Sequence, residues 1–446
     1  MAATAKVEMK ECRLTAGFKD RELCIRELLS ATPNPGQLHK YEVAHVRRAI
    51  LLAMRIAAFI LLVGASASAG GQSIASTPQE ANAVWQMQDS GSTAGLRGID
   101  SVDGTIAWAT GTGGAVFKTT DGGLHWQHCA TPDAATDGAT LDFRGVQAWD
   151  AQTAIVMASG PGYRSRLYKT TDGCKSWKLV FRNLDKDGFW DAIRITGAKT
   201  AFMIGDPVPP KELDRSKVRQ FYHFPLYGTT DAGDTWNRLD KNDLFAASDN
   251  NGKPAQSIFA ASNSSLLETA HHRWILFVVG GKTASLKLLE FIDNPNSVIC
   301  KHACTVTSGA ELPLRSGPTA GGFSLAARDG DSVDPVLIAV GGDYQTPKKS
   351  EGTSATCTRN ANELLSTIFT CDASTIPPHG YRSTVQWSES LKLWIAAGTN
   401  GSDISRDDGR TWQPLDDGNW NALSLPFIVG PGGRIARLNS TALQNP

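Results

Sequence analysis

A short turn recurs four times along this 446-residue chain, and it restricts the fold more than any other feature. The copies are Thr119-Thr-Asp121-Gly-Gly-Leu-His-Trp126, Thr170-Thr-Asp172-Gly-Cys-Lys-Ser-Trp177, Thr229-Thr-Asp231-Ala-Gly-Asp-Thr-Trp236 and Ser405-Arg-Asp407-Asp-Gly-Arg-Thr-Trp412. Each follows a short apolar strand, such as Ala115-Val-Phe117, and precedes another, such as Lys178-Leu-Val-Phe181. The chemistry is that of a β-hairpin. A short acidic side chain accepts hydrogen bonds from the N–H groups of its own turn. Glycine supplies the positive φ that a tight hairpin needs. The Trp opens the outer strand and can bury a large ring between sheets. Cys174 stands where the other copies have glycine, so that turn is expected to be strained or differently shaped. Asp121, Asp172, Asp231 and Asp407, with Trp126, Trp177, Trp236 and Trp412, therefore read as structural.

Spacing turns the repeat into an architecture. The intervals between the four Asp residues are 51, 59 and 176 residues, the last close to three of the others. Two degenerate blades fit that gap: Leu286–Ile292 ending at Asp293-Asn294 as the worn turn of one, and Pro335–Val340 followed by Gly341-Gly-Asp-Tyr344 as the core of the other. A fixed period of this size marks a repeat fold. The expected class is all-β: a seven-bladed β-propeller with Asp-box (BNR-type) hairpins over residues 83–440. Six blades lie near 96–129, 143–182, 189–240, 256–298, 320–372 and 381–416. The tail from Trp420 to Leu438 supplies about three strands. Ala83-Val-Trp85-Gln-Met-Gln88 supplies the fourth, so the termini close a seventh blade and remove the exposed edges of the ring, with six and eight blades as the alternative counts. Such a ring is expected to be a monomer.

The N-terminal region has a different texture. Met54-Arg55 is followed by the apolar run Ile56–Val63 and then Ala65-Ser-Ala-Ser-Ala69, the parts of a secretory signal. The run is too short to span a bilayer, which takes about 20 residues. Residues 54–69 are read as a signal peptide, and 1–53 as a non-native or disordered extension. The destination is then periplasmic or extracellular, with no stable membrane span after signal removal. Without residues 1–69 the chain has 34 basic and 38 acidic residues. That balance lacks the basic excess of a nucleic-acid-binding protein. Six cysteines remain, an even number compatible with disulfides in an exported chain. Cys300 with Cys304 and Cys357 with Cys371 are close enough to pair locally, and Cys129 with Cys174 would join neighbouring blades.

Function is expected on the loops that do not repeat. Residues 206–224 interrupt blade three, and 344–379 interrupt blade five. Long loops on a rigid scaffold often carry binding or catalytic groups. Short polar patches follow the inner apolar strands. If they fall on one face, Arg164, Asp206, Asp343, Tyr344, Tyr381, Arg382 and Asp403 ring the central channel as a candidate binding face. The plainer reading is that these Gly and Asp residues only shape turns. A sialidase-like or other glycoside hydrolase would need an arginine cluster for a substrate carboxylate, or two carboxylates about 5–10 Å apart. Asp206, Asp343 and Asp403 are the carboxylates on offer, but the F/Y-R-I-P signature is missing. Cys300-Lys-His302-Ala-Cys304 has metal-ligand composition without a second ligand pair, so no metal is assigned. No P-loop, nucleophile elbow or dinucleotide fingerprint is present, and no cofactor is implied.

The Thr-Thr-Asp-Gly-Gly turns with their Trp, Leu96-Arg-Gly-Ile-Asp before blade one, and Gly433-Arg-Ile-Ala-Arg-Leu438 resemble the photosystem II assembly-factor propellers, the Ycf48-like or Hcf136-like family. Gly205-Asp-Pro-Val208, Gly341-Gly-Asp-Tyr344 and Tyr381-Arg-Ser383 are similar to stretches of its non-photosynthetic bacterial branch. The resemblance implies a seven-bladed propeller that binds other proteins during assembly. In the photosynthetic members an arginine-rich patch meets the partner; here Arg164, Arg166, Arg194, Arg315 and Arg382 do not cluster in sequence. The reading is an exported, non-enzymatic propeller presenting a binding face to a protein partner or a cell-surface glycan. A glycoside hydrolase of sialidase-like shape is the alternative.

Overall fold

In the computed structural model, each of the four repeated turns joins the third and fourth strands of a four-stranded antiparallel sheet. Residues 83–209, 222–239, 244–246, 248–249, 253–269, 274–290, 305–328, 335–360 and 368–443 are described. The extension, the signal-like segment, Cys300, Cys304 and most of the 206–224 insertion lie outside them. In the first turn the Thr119 hydroxyl donates to Asp121 Oδ1 (2.8 Å) and accepts the Gly123 N–H (2.9 Å), while Asp121 Oδ1 accepts the His125 N–H (3.0 Å). The same pattern recurs at Thr170/Asp172, Thr229/Asp231 and Ser405/Asp407. These bonds hold the Asp121 carboxyl down to about 2, chiefly through the His125 N–H, and the Asp172 carboxyl to about 2, chiefly through the Ser176 hydroxyl.

Both residues after each Asp have positive φ, whether glycine or not: Gly173 and Cys174 both at 70°, Ala232 at 59° and Asp408 at 58°. Cys174 thus adopts the conformation of Gly123 and Gly233, each at 87°. The second turn is not differently shaped; it carries the cost of a non-glycine left-handed residue, about 1–2 kcal/mol. Its side chain is used. Cys174 is bonded to Cys129, which ties the segment after blade one to the turn of blade two.

Seven blades are present among the described residues. Five are separate four-stranded sheets, and blades four and five merge where Gly280 and Gly281 pair with Gly321 and Gly317. The seventh consists of Ala422–Ser424, Phe427–Val429 and Ile435–Leu438, with Trp85–Gln88 as its outer strand in the register Trp85↔Leu438 to Gln88↔Ile435. One correction concerns residues 344–379. They are not an insertion, because Ser354–Arg359 and Phe369–Ala373 are the third and fourth strands of blade five, with Cys357 opposite Cys371 and disulfide-bonded to it. Among the described residues no helix is long and apolar enough to cross a membrane.

Hydrophobic clusters fill the spaces between consecutive blades, as in the set Trp108, Val116, Phe143, Val156 and Tyr168 between blades one and two. Polar groups register one blade on the next. Asp100 accepts the Ala148 N–H, Gln147 the Ile195 N–H, Gln386 the Leu425 N–H and Ser424 the Ser101 N–H. Buried Lys118 reaches from blade one to carbonyls of Ala151 and Gly173 in blade two, and Lys169 repeats the reach to Asp234 in blade three.

Strand pairing also sorts the loops. Inner strands begin where second strands end (Leu96↔Gly111, Phe143↔Ala158, Trp190↔Gly205, Ala320↔Asp343). The loops leaving second strands and the connectors entering inner strands therefore share one face, the loop face. The repeated turns start beside the opposite ends (Ala107↔Thr119, Ala154↔Thr170, Trp394↔Ser405) and form the turn face.

Two adjacent glycines in the closing blade give a controlled test. Gly432 and Gly433 have φ of 69° and 75°; a Cβ on Gly432 meets nothing within 4 Å, whereas one on Gly433 would lie 1.8 Å from the Ser92 carbonyl oxygen. Gly432→Ala should cost about 1 kcal/mol, the left-handed penalty alone. Gly433→Ala should cost about 3 kcal/mol or more, because the backbone it strikes must move. Urea denaturation of the two variants measures the difference.

Candidate functional site

The inner strand of blade four is broken. Gln256–Ser257 and Leu266–Glu268 both pair with Trp274–Gly281, and the residues between them, Ile258–Ser265, leave the sheet. The sequence Phe-Ala-Ala-Ser-Asn-Ser-Ser at 259–265 suits this, since small side chains fit where seven inner strands converge. This segment crosses the channel. Arg144 of blade two donates to the Ala260 carbonyl (3.2 Å). The Asn263 side chain accepts the Ile193 N–H of blade three (2.8 Å) and donates to the Val146 carbonyl of blade two (3.3 Å). Ser262 donates to the Ser383 carbonyl of blade six, and Ser264 to Ser324 of blade five (2.7 Å). Asn263 sits at φ 64° and is buried.

This plug divides the channel into two cavities. On the loop face, Arg97, Arg144, Phe259, Ala260, Ala261, Phe323, Tyr344, Tyr381, Ser383, Thr399 and Asn421 surround about 320 Å³. On the turn face, a cavity of about 200 Å³ is lined by Asp100, Gln147, Arg194, Ser262, Asn263, Ser264 and the apolar ends of the inner strands.

The loop-face mouth has an aromatic wall and an unequal charge balance. Phe259 stacks on Phe323 at 4.1 Å, and Tyr381 meets Phe323 edge-on at 4.8 Å. Asp142 lies between two guanidiniums. Its Oδ2 accepts from Arg144 Nε (2.8 Å), and its Oδ1 is 3.3 Å from Arg97 Nε without hydrogen-bond geometry. Burial lowers the pKa of Arg97, and Arg144 adds to the shift, while Asp142 opposes it. Next to them Asp191 is buried, with Oδ2 lacking a hydrogen-bond partner among the described residues. Burial, and then Asp206, push the Asp191 carboxyl well above its usual range. Burial raises Asp206 to about 7, against the Ile258 N–H that it accepts.

The candidate face separates into groups. Tyr344 and Tyr381 line the loop-face cavity, and Asp206 holds the start of the plug. Asp343 is on the same face, but its carboxylate is engaged by Thr319, the Gln345 N–H and Thr346. Burial works against its charge, and these bonds still hold its carboxyl below the usual range. Arg164 donates to the Thr140 carbonyl (2.6 Å), away from the cavity lining. Arg382 and Asp403 do not face the channel. Both are fully buried, paired with each other inside blade six, with His379 on Asp403 (2.8 Å) and Asn400 on Arg382 (3.0 Å). The carboxylates considered for glycoside chemistry are therefore held by separate structural partners.

Arg97, Arg144, Asp142, Asp191 and Asn263 were not singled out by sequence reasoning. A signal existed for the arginines: Leu96-Arg-Gly-Ile-Asp and Phe143-Arg-Gly-Val-Gln are the same inner strand in consecutive blades. Nothing local marks Asn263, whose partners lie 70 and 117 residues away.

No family model matches the chain. Among curated proteins, an uncharacterized human protein encoded by LINC00311 is 40% identical over 43 residues, covering 10% of this chain and 36% of that protein. The chain thus spans about a third of the length of the curated relative it matches. Among solved structures, YCF48 from Cyanidioschyzon merolae has a TM-score of 0.51 at 17% identity, over 80% of this chain and 100% of that one. A structure of YCF48 bound to D1 peptide has a TM-score of 0.49 at 16% identity, over 80% of this chain and 94% of that one. The fold is that of a Ycf48-like propeller.

Two outcomes check the site's physics. Asn263→Ala removes an acceptor and a donor that buried backbone groups use and leaves alanine at positive φ, so it should cost about 3 kcal/mol in denaturation. Asp206 has a folded pKa above its unfolded one, so its contribution is full below about pH 4 and is lost as pH rises through about 7. Asp206→Asn, which keeps an acceptor for Ile258, should flatten the fall in urea midpoint between pH 5 and pH 8. The turn carboxylates act in the opposite sense, and only below about pH 4.

Proposed function

We propose that this protein is an exported, non-enzymatic propeller that binds a protein partner through its loop face. The observation that carries the reading is the division of labour between faces. The repeated turns occupy one face, and the loops that do not repeat occupy the other, around a cavity walled by aromatic and arginine side chains. Tyrosine and arginine are the residues most often found at energetic centres of protein interfaces. Exposed apolar side chains accompany them on the loop face: Tyr163 is 63%, Leu184 82% and Tyr344 47% exposed. Export is supported by the signal-like segment at 54–69 and by the Cys129–Cys174 and Cys357–Cys371 bonds, since disulfides persist in oxidising compartments.

Crosslinking capture from an envelope extract tests this. Tyr344→Ala combined with Leu184→Asp should reduce recovery of the partner about tenfold or more, as loss of an interface centre does. Leu124→Asp, at an exposed position in a turn-face hairpin, should leave recovery unchanged. Equal loss from both variants, with thermal stability unchanged, would overturn the assignment of the binding face.

A further inference from the structure

We propose that the loop-face mouth of the channel is a binding site for a small aromatic carboxylate. This goes beyond the partner-binding reading: it concerns the cavity that the loops surround, and its test at Arg97 is read separately from partner capture at Tyr344 and Leu184.

The first argument is charge. Two guanidiniums, Arg97 and Arg144, enter the cavity from neighbouring inner strands with one carboxylate, Asp142, between them. Arg97 Nε is buried and has no hydrogen-bond partner among the described residues. The Arg97 side chain as a whole stays 34% exposed and lines the cavity, so an anion there can add the charge-assisted bonds that one acid between two arginines does not supply. The acids farther in, Asp191 and Asp206, are not among the residues lining this cavity. Asp191 and Asp206 are held by the N–H groups of the plug and its neighbours, and both are shifted toward the neutral form. The balance at the mouth is one positive charge, which suits a single carboxylate, and a planar guanidinium fork matches that group.

The second argument is shape. Phe259 and Phe323 stack to form one wall, with Tyr344 and Tyr381 edge-on to Phe323 at 6.3 and 4.8 Å. The plug residues Ala260 and Ala261 also line this cavity, and their small side chains leave its volume open. About 320 Å³ lies at the lower end of the usual range for small-ligand sites, about 300–1,000 Å³. One anion-binding end beside an aromatic wall fits a ring joined to a short carboxylate arm. The ring would meet the existing rings edge-to-face, and the arm would reach Arg97.

Titration calorimetry of the purified full chain in low salt, with phenylacetate and indole-3-acetate as probes, tests the site. The expected result is saturable binding with a Kd on the order of 0.1–1 mM, reasonable for ligands of this size. Acetate, which lacks the ring, and 2-phenylethanol, which lacks the charge, should each bind at least about tenfold more weakly. Arg97→Leu should lose the carboxylate preference, so that phenylacetate and 2-phenylethanol bind alike. If Arg97→Leu does not fold, Arg97→Gln gives the same comparison with a polar side chain retained. No saturable heat with either acid up to 10 mM, a scale set by roughly ten times the weakest expected Kd, would overturn the proposal. So would unchanged binding in both Arg97 variants. Partner capture by the loop face is a separate readout and can fail without affecting this one.

Discussion

Everything in this molecule depends on the pairing of Trp85–Gln88 with Ile435–Leu438, the two ends of the propeller chain. A propeller blade buries one face on the blade before it and the other on the blade after it. An open arc would leave two sheet faces and two strand edges in water. Closing the ring through a shared blade removes both problems at once. The N-terminal strand brings Trp85 into the cluster with Trp420, Ile428 and Ala436, so closure is sealed by apolar burial as well as by ladder bonds. Gly433 lets the last hairpin pass within bonding distance of Ala94, where the chain enters blade one.

A closed ring leaves a channel, and this protein fills the middle of it with its own chain. The plug at Ile258–Ser265 is held by backbone and side-chain bonds to blades two, three, five and six. Neither cavity is therefore a passage. The buried polar groups that the plug brings together are largely satisfied, as a low-dielectric interior requires. Among the described residues, side-chain atoms without a partner occur at the loop-face mouth, at Arg97, Asp142 and Asp191, and also elsewhere, as at Ser265 in the plug and Thr384 in blade six.

Charged residues play two distinct parts. Arg382 and Asp403 have the residue types of a binding site, but the pair is sealed in blade six with His379 and Asn400. Removing either partner would strand a buried charge, so their presence says more about geometry than about function. Arg97 and Arg144 have the same chemistry, half-exposed and sharing one acid. Burial and partner count, not residue type, separate the two pairs.

The sequence by itself determined the repeating part of this protein. The turns from Thr119 to Trp126 and their copies could be read because the Thr or Ser and Asp side-chain bonds that shape them span four residues or fewer. Their spacing favoured seven blades over six or eight and predicted that Trp85–Gln88 and the C-terminal strands would share one, and the strand pairing gives seven among the described residues. Local chemistry also pointed to the Cys357–Cys371 and Cys129–Cys174 bonds. What only the tertiary structure decided were the contacts between residues far apart in the chain. Sequence grouped Arg382 and Asp403 with Tyr344 and Tyr381 as one candidate face, but Asp403 lies within the third strand of blade six and pairs there with Arg382, while the two tyrosines line the cavity. It also placed Phe259–Ser265 within blade four, near 256–298, without marking a break there. The detour across the channel becomes favourable only when Ile193 and Val146, on other blades, present the backbone groups that Asn263 needs.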